Sequence, residues 1–306
     1  MEEFYKERLA LKLKKLRLHP EYLAEIPNQT TEMCMKAVEE NWKCLEHVKN
    51  QTLEICLTAV IQSPHAIKDV KKQTPELCML AVKTLWFTLK YIREQTPKLC
   101  MAAVRQNWSV LEQVREQTPE LRMAAVIESW FAIQHIREQT PELCMMAVRQ
   151  TWYALQYIKT QTPELCMEAV EETSRAIEYV IDQTPELCMV AVKDNPNTLE
   201  HIKYQTPELC MEAVKKDGYA IQYVRNKNKT PELYIAAVKQ NPNIIEYIGE
   251  RSPELCLAAV ERDWLMISFI KNRTPEICIA AVNQNIEALE FVPAEMFLAD
   301  TKSFIS

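Results

Sequence analysis

Cysteine is the most regularly placed reactive side chain in this 306-residue chain, and thiols can form disulfides, bind metals or carry redox chemistry. Ten of the eleven cysteines occupy one position of a repeated motif: Cys34, Cys56, Cys78, Cys100, Cys144, Cys166, Cys188, Cys210, Cys256 and Cys278. A disulfide needs Cα atoms within about 7 Å, whereas equivalent atoms of stacked helices lie roughly 10 Å apart. No Cys-x-x-Cys pair or Cys/His cluster offers a tetrahedral metal site. We therefore expect small buried apolar residues and no metal, with partial exposure or local tolerance at Arg122 and Tyr234, which replace the cysteine.

Catalytic chemistry is not indicated by the remaining reactive residues. His47, His135 and His201 share a position that holds Tyr or Phe in other copies, which is typical of a half-buried ring. Only two of the 306 residues are glycine, which argues against Gly-rich phosphate loops and dinucleotide folds. We predict no enzyme, no catalytic residues and no cofactor.

Tryptophan occupies a second fixed position of the motif, where other copies carry Pro, Ser, Gly or Ile. Such tolerance excludes a core site, because core packing is sensitive to single methylenes. At roughly 10 Å per step, four consecutive tryptophans and the aromatic residues beside them would form a row about 30 Å long, of the kind that anchors interfaces. The predicted partner-binding residues are Trp42, Trp86, Phe87, Trp108, Trp130, Phe131, Trp152 and Tyr153. We call those from Trp86 onward the aromatic row; the alternative is that each indole covers the next copy as a structural staple.

A row of cations at a third position suggests a competing chemistry. Arg93, Arg115, Arg137 and Lys159 could contact phosphates, while the aromatic row stacks on the bases of single-stranded nucleic acid or on a nucleotide. Acidic residues follow three of these cations directly, and the net charge of −6 is not that of a dedicated nucleic-acid binder. The favoured interpretation is that the cations complement the C-terminal dipoles of helices.

The motif behind these positions is Thr-Pro-Glu-Leu-Cys-Met-x-Ala-Val, and it recurs twelve times over residues 30–295. The step is 22 residues, except for 24 between Thr206 and Thr230. Counting the Thr as position 1 and the copies as repeats one to twelve, Cys is at position 5, Trp at 13, the cations at 20 and a run of glutamines at 22. A fixed period of this length indicates a solenoid.

Each repeat predicts two short helices. Thr at position 1, Pro at 2 and Glu at 3 form an N-cap and first turn, and a polar residue at position 12 caps a second helix. The glutamines at position 22 predict amide hydrogen bonds between neighbouring loops. The expected fold is all-α, a right-handed α-solenoid of about twelve stacked two-helix repeats with capping ends.

Capping segments are expected on both sides of the repeats. Residues 1–29 predict N-terminal capping helices built as a degenerate repeat, and 296–306 a C-terminal cap; a two-residue insertion lies within 226–229. One repeat cannot bury enough apolar surface to fold alone, so we expect a single cooperative domain.

The complete unit, Thr-Pro-Glu-Leu-Cys-Met-x-Ala-Val-x-x-Asn-x-x-Ala-Leu-x-Tyr-Val, resembles a domain-of-unknown-function repeat family of bacterial, protist and giant-virus proteins. In that family the second helix typically opens with Asn-Pro or Asn-Gly, as Asn195-Pro196, Asp217-Gly218 and Asn241-Pro242 do here. The resemblance implies a helical repeat protein of unassigned activity, with no catalytic residues to transfer.

Residues 1–17 contain no apolar core of a signal peptide, and no run of about 18 apolar residues predicts a membrane span. With eleven cysteines expected to be reduced, these features predict a cytoplasmic protein, in the host cytosol if it is viral or an effector. The expected function is a non-enzymatic scaffold that binds a protein or peptide through the aromatic row of repeats three to six. Nucleic-acid or nucleotide binding and a purely structural spacer are the alternatives.

Overall fold

The computed structural model describes residues 11–12, 14–16 and 18–299, and these residues form helices and turns without a β-strand. They fall into two compact units, Met1–Thr160 and Gln161–Ser306. The first unit contains repeats one to six except Gln161, the last residue of repeat six. The second unit begins with Gln161 and contains repeats seven to twelve. The parts of the predicted caps at 1–10, 13, 17 and 300–306 lie outside the described residues.

In the first unit each repeat contributes one α-helix and one shorter 3₁₀ helix. The α-helices are Thr31–Glu40, Leu53–Gln62, Pro75–Thr84, Pro97–Val104, Pro119–Glu128 and Pro141–Gln150. The 3₁₀ helices are Pro20–Glu25, Trp42–His47, Pro64–Asp69, Trp86–Tyr91, Trp108–Gln113, Trp130–His135 and Trp152–Tyr157.

The second unit repeats the same alternation. Its α-helices are Pro163–Glu172, Pro185–Asp194, Pro207–Lys216, Pro231–Gln240, Pro253–Arg262, Pro275–Gln284 and Ala294–Ala299. Its 3₁₀ helices are Ser174–Tyr179, Pro196–His201, Gly218–Tyr223, Asn226–Asn228, Pro242–Tyr247, Trp264–Phe269 and Ile286–Phe291. The short helix Asn226–Asn228 coincides with the two-residue insertion.

The α-helices begin where the Thr-Pro-Glu motif predicts. In repeat three the hydroxyl of Thr74 accepts the N–H of Leu77 at 3.4 Å, and Pro75 is the first helical residue. The proline has no N–H to leave unpaired, and its fixed φ suits the first turn. The same N-cap hydrogen bond recurs in all twelve repeats, with Ser252 replacing Thr in repeat eleven.

The second helix of each repeat is a six-residue 3₁₀ helix, a type that the sequence pattern did not specify. In repeat one the Asn41 side chain accepts the N–H of Lys43 at 3.1 Å, and the Asn41 carbonyl accepts the N–H of Cys44. The helix closes with an N–H of Val48 donating to the carbonyl of Leu45. These i→i+3 hydrogen bonds suit a helix this short, since 3₁₀ geometry is favoured only over a few residues.

The core is formed by equivalent positions of every repeat. In repeat five Leu121, Ala125 and Val126 come from the α-helix, Ile133 comes from the 3₁₀ helix and Ile136 directly follows it, and all five are at least 99% buried. Alanine at position 8 allows close approach, and within each unit consecutive α-helices contact each other as well as the neighbouring 3₁₀ helices. This stacking of helix pairs confirms the predicted all-α solenoid.

No helix among the described residues is both long enough and apolar enough to cross a lipid bilayer.

Candidate functional site

The cysteines do not form a reactive site. All eleven are buried and free. Burial raises the pKa of their thiols, to about 11 for Cys44 and, with the nearby carboxylate of Asp182 adding a smaller effect, to about 11 for Cys166. Because the thiolate is the nucleophile, such thiols are unreactive at neutral pH. The prediction of small buried apolar residues is confirmed; within the described chain no three His, Cys, Asp or Glu residues are grouped as metal ligands.

Arg122 distinguishes the two expectations for its position. It replaces the cysteine of repeat five, where partial exposure or local tolerance was expected, and it is only 7% exposed, so the position tolerates a long charged side chain without exposing it. Its Nη1 donates to the carbonyl of Glu138 at 2.7 Å and to the Glu138 carboxylate at 3.0 Å, while Nε is buried without a partner. The long side chain reaches the loop of its own repeat, so a charged group is buried where most repeats have a thiol. Tyr234, at the same position, is half-buried as expected.

Each of the six tryptophans opens a 3₁₀ helix and is half-buried. The backbone N–H of Trp42 donates to the Gln62 side chain at 2.6 Å, and that of Trp130 to Gln150 at 2.9 Å. Both glutamines belong to the α-helix of the following repeat. Position 13 therefore lies at the seam between consecutive repeats, which confirms that the indoles are outside the core.

Aromatic rings of repeats four to six contact each other across these seams. The ring centroid of Trp108 lies 5.7 Å from that of Phe131 and 5.8 Å from that of His135. Trp130 lies 5.1 Å from Phe131 and 6.2 Å from Tyr157, and Phe131 is 5.1 Å from Tyr157. These separations are those of favourable edge-to-face and tilted pairs. The contacts across the seams join a ring at position 13 or 14 of one repeat to a ring at position 14 or 18 of the next, so they connect consecutive repeats through non-equivalent positions.

The same arrangement begins earlier in the first unit. The ring of Phe87 lies 5.1 Å from that of His65 in repeat two and 5.5 Å from that of Trp86. In repeat six Trp152 and Tyr153 are 4.1 Å apart. Trp42 lines a separate groove of about 430 Å³ together with Glu46, His47 and Asp69.

The sequence reasoning did not include His65, His135 and Tyr157 in the site. Their positions, 14 and 18, hold a ring in several repeats, and that recurrence was the available signal. Without coordinates, a ring at these positions could be assigned only to filling a half-buried space.

Beside the rings, the 3₁₀ helices of repeats three to six carry few charged residues. Amide side chains lie at Gln113, Gln134 and Gln156 on the same 3₁₀ helices, and the charged residues at positions 14, 17 and 18 of repeats three to six are Lys90 and Glu112. The Lys90 ammonium lies 4.8 Å from the ring centroid of Tyr91 and 5.7 Å from that of Phe87, which indicates cation–π contact. The Oε1 atom of Gln113 is buried without a hydrogen-bond partner.

The cations proposed as phosphate contacts bind backbone carbonyls instead. Nη1 of Arg115 donates to the carbonyl of Arg93 at 2.6 Å, and Nη1 of Arg137 to that of Arg115 at 2.7 Å. Arg93 bonds the carbonyl of Lys71 in the same way, and Lys159 that of Arg137. These carbonyls belong to position 20 of the preceding repeat, two residues beyond the end of its 3₁₀ helix, and their hydrogen bonds to the cations agree with a dipole-complementing role.

The glutamines at position 22 connect neighbouring loops as predicted. In repeat four Nε2 of Gln117 donates to the carbonyl of Leu111 at 3.1 Å and, in repeat five, to that of His135 at 2.9 Å. Its Oε1 accepts the N–H of Arg137 at 3.0 Å. One amide thereby satisfies three backbone groups and fixes the spacing of two repeats.

Repeats seven to nine use position 13 differently. Ser174, Pro196 and Gly218 are buried there, so the expectation that position 13 is not a buried core site was wrong for these repeats. A Cβ added to Gly218 would lie 2.6 Å from the carbonyl oxygen of Ala237 and from Cδ1 of Ile244. The next repeat approaches too closely for any larger residue.

The fold and these contacts define an α-helical tandem-repeat protein. At the seams between its repeats, position 13 carries tryptophan in six repeats and Pro, Ser, Gly or Ile in the others. Residues 206–252, which span repeats nine and ten, match a family model described as "Domain of unknown function (DUF4116)". This match agrees with the resemblance to a domain-of-unknown-function repeat, and it covers a small part of the chain. Neither the comparison with curated proteins nor that with solved structures found a match.

Proposed function

We propose that this chain is a non-enzymatic binding scaffold that recognises a protein or peptide through the aromatic row of repeats three to six. The observation that carries the proposal is the series of ring contacts from Trp108 through Phe131 to Tyr157, in which the tryptophan remains half-buried. Rings held in place by their neighbours lose little conformational freedom when a partner covers them. Aromatic residues of this kind are the commonest anchors of protein interfaces.

The charges around the row support a peptide-like partner. One lysine and one glutamate accompany the rings, while Gln113, Gln134 and Gln156 supply amides that pair with a peptide backbone. We further propose that the protein acts in the cytoplasm, where its buried thiols would remain reduced.

Single-stranded nucleic acid is the second candidate and has less support. Stacking rings would suit bases, but Arg93, Arg115 and Arg137 already use their guanidinium groups to cap carbonyls. A structural spacer is the third candidate, in which the ring contacts serve only to hold consecutive repeats together.

The test is peptide selection against the folded chain. A displayed library of random peptides is selected on the wild type and the recovered peptides are measured against a Trp86, Trp108, Trp130 and Trp152→Ala variant. We expect binding to weaken by at least about tenfold, a loss of roughly 1.4 kcal/mol. The matched control is Trp264→Ala, which removes an indole from the same position in repeat eleven and should leave binding unchanged. Circular dichroism of each variant establishes that it is folded.

Equal binding to the wild type and the fourfold variant would reject the aromatic row as the site. An oligo-dT strand distinguishes the second candidate, because phosphate contacts weaken steeply between about 50 and 200 mM salt whereas apolar docking does not. If no peptide or oligonucleotide binds and single Trp→Ala changes lower the melting temperature strongly, the spacer interpretation is favoured.

A further inference from the structure

The 3₁₀ helices of repeats ten to twelve expose apolar side chains that are separate from the aromatic row. The exposed fractions are 75% for Tyr247, 47% for Leu265, 38% for Phe269 and 66% for Ile286. At the equivalent positions of the first unit Trp108, Phe131 and Tyr157 are half-buried and contact rings of neighbouring repeats. Such a concentration of exposed large apolar residues marks an interaction surface.

These four residues lie on three consecutive 3₁₀ helices of the second unit. They occupy positions 13, 14 and 18, which are the positions that carry the contacting rings in the first unit. The three 3₁₀ helices that bear them contact each other in sequence, Pro242–Tyr247 with Trp264–Phe269 and Trp264–Phe269 with Ile286–Phe291. Trp264 lies among them and is half-buried.

The charges on this face have one sign. Glu246, Glu287 and Glu290 are exposed at positions 14 and 17, and no Lys or Arg occupies positions 13, 14, 17 or 18 of these three repeats. Residues 230–295 as a whole carry ten Asp and Glu against five Lys and Arg.

Two of the cations nearest in the sequence, Arg251 and Arg273, form hydrogen bonds in the loops, whereas Arg262 is exposed at the end of its α-helix. Arg251 donates to the carbonyls of Ile248 and Phe269, and Arg273 donates to the carbonyl of Ile267 and lies 6.0 Å from the ring centroid of Phe291. Lys271 is exposed in the loop after Trp264–Phe269, at position 20. These groups border the face but do not neutralise its glutamates one for one.

The same positions in the first unit are balanced in charge. Repeats one to six carry three cations there, Lys43, Lys68 and Lys90, and three carboxylates, Glu46, Asp69 and Glu112. The excess of carboxylates is therefore a property of the second unit, not of the repeat.

We propose that the face formed by Tyr247, Leu265, Phe269 and Ile286, bordered by Glu246, Glu287 and Glu290, docks a basic amphipathic segment of a partner protein. We call this face the acidic apolar face. Its apolar side chains would cover the apolar stripe of an amphipathic helix, and its glutamates would pair with Lys and Arg on either side of that stripe. Charge complementarity selects this partner over a second copy of the chain, because two copies of this face would repel each other.

The experiment uses a fluorescent model peptide of about four helical turns, with Leu on one face and Lys on the other. Binding to the full chain is followed by fluorescence anisotropy. We expect saturable binding that a Leu/Glu peptide of the same pattern does not show, and that a shuffled Leu/Lys peptide without an amphipathic face shows at least about tenfold more weakly. A Leu265→Ser and Phe269→Ser variant should also lose about tenfold.

Charge reversal at matched positions locates the site. Glu246→Lys with Glu290→Lys should weaken binding at least about tenfold, whereas Glu178→Lys with Glu200→Lys, at position 17 of repeats seven and eight, should change it less than about twofold. The Trp108→Ala variant should bind normally, which keeps this face distinct from the aromatic row.

Three results would overturn the inference: equal effects of the two charge reversals, equal binding of the shuffled peptide, or a dimer of the free chain that Leu265→Ser with Phe269→Ser dissolves. The last would identify a second copy as the occupant. Circular dichroism of each variant separates lost binding from lost folding.

Discussion

Position 13 is used in two ways within one repeat design. In repeats three to six it holds an indole that is half-buried and, in repeats four and five, contacts a ring of the next repeat; in repeats seven to nine it holds Ser, Pro or Gly in a buried site. The N-caps, the α-helices and the apolar core positions are nevertheless the same in both regions. The comparison shows that the core positions determine the structure of the repeat. Position 13, at the seam between repeats, can be buried in one region and half-exposed in another without changing that structure.

The largest effect on stability is expected from a larger side chain at the buried position 13 of repeat nine. Gly218→Ala should lower the free energy of unfolding by about 3 kcal/mol, because its Cβ would lie 2.6 Å from a carbonyl oxygen that can move only with the backbone. Gly249→Ala is the matched control: no atom lies within 4 Å of an added Cβ, and the change should be within about 0.5 kcal/mol. Equal effects in urea unfolding would contradict the close approach at Gly218.

The next largest effect is expected at the loop glutamines, which keep the seams of the first unit in register. Gln117→Ala removes three hydrogen bonds and leaves partly buried backbone groups unsatisfied, so it should cost about 2–3 kcal/mol. Gln156→Ala, an exposed glutamine of a 3₁₀ helix, should have little effect in the same thermal unfolding measurement. A loss of similar size in both would mean that the loop amides do not hold neighbouring repeats together.

Substitution of Arg122 tests whether a buried charge at position 5 lowers the free energy of unfolding. Arg122→Cys restores the residue of the motif and removes a buried guanidinium whose Nε has no partner, so we expect a gain of about 1–2 kcal/mol. Glu138→Ala should have the opposite sign, since it leaves the arginine without its carboxylate. Chemical unfolding of the two variants gives both signs, and destabilisation by Arg122→Cys would show that the pair contributes net stability.

The smallest effect is expected from the N-terminal glutamates of the α-helices. Hydrogen bonds from the backbone N–H and then from the capping hydroxyl lower the pKa of Glu232 and Glu254. A lowered pKa in the folded state stabilises the fold above the unfolded pKa, and that stabilisation is lost as pH falls through the folded value. Glu232→Gln with Glu254→Gln should therefore lower the melting temperature slightly at pH 7, by an amount that diminishes as the pH falls through the folded pKa values. Glu261→Gln, at the other end of a helix, is the control; a difference that persists at low pH would exclude this cause.

Much of the local structure could be predicted because its determinants are close in sequence. Thr and Pro fix the start of each α-helix through contacts within four residues, and the position-22 glutamines act between loops whose spacing the repeat defines. The 3₁₀ type of the second helix could not be predicted, since it depends on how tightly six residues must turn to place Leu45 or Ile133 in the core. The burial of Arg122 was missed because the Glu138 carbonyl that receives it lies sixteen residues away.

The sequence predicted the tryptophans of the candidate site but not the other rings that contact them. The tryptophan column was visible in the alignment, whereas the participation of His65, His135 and Tyr157 depends on which neighbouring rings come within contact distance. The apolar residues of repeats ten to twelve gave no comparable signal, because Tyr247, Leu265 and Ile286 do not share one position of the motif.

The amino-acid sequence by itself determined the repeat length, the residues at which the helices begin and the buried thiols, since each of these follows from periodicity and from interactions within a single repeat. Only the tertiary structure decided whether position 13 is buried or half-buried, which rings contact each other, and on which helices the exposed apolar and acidic side chains are concentrated. Those properties depend on the distance between consecutive repeats, and that distance is set by the packing of whole helices against each other.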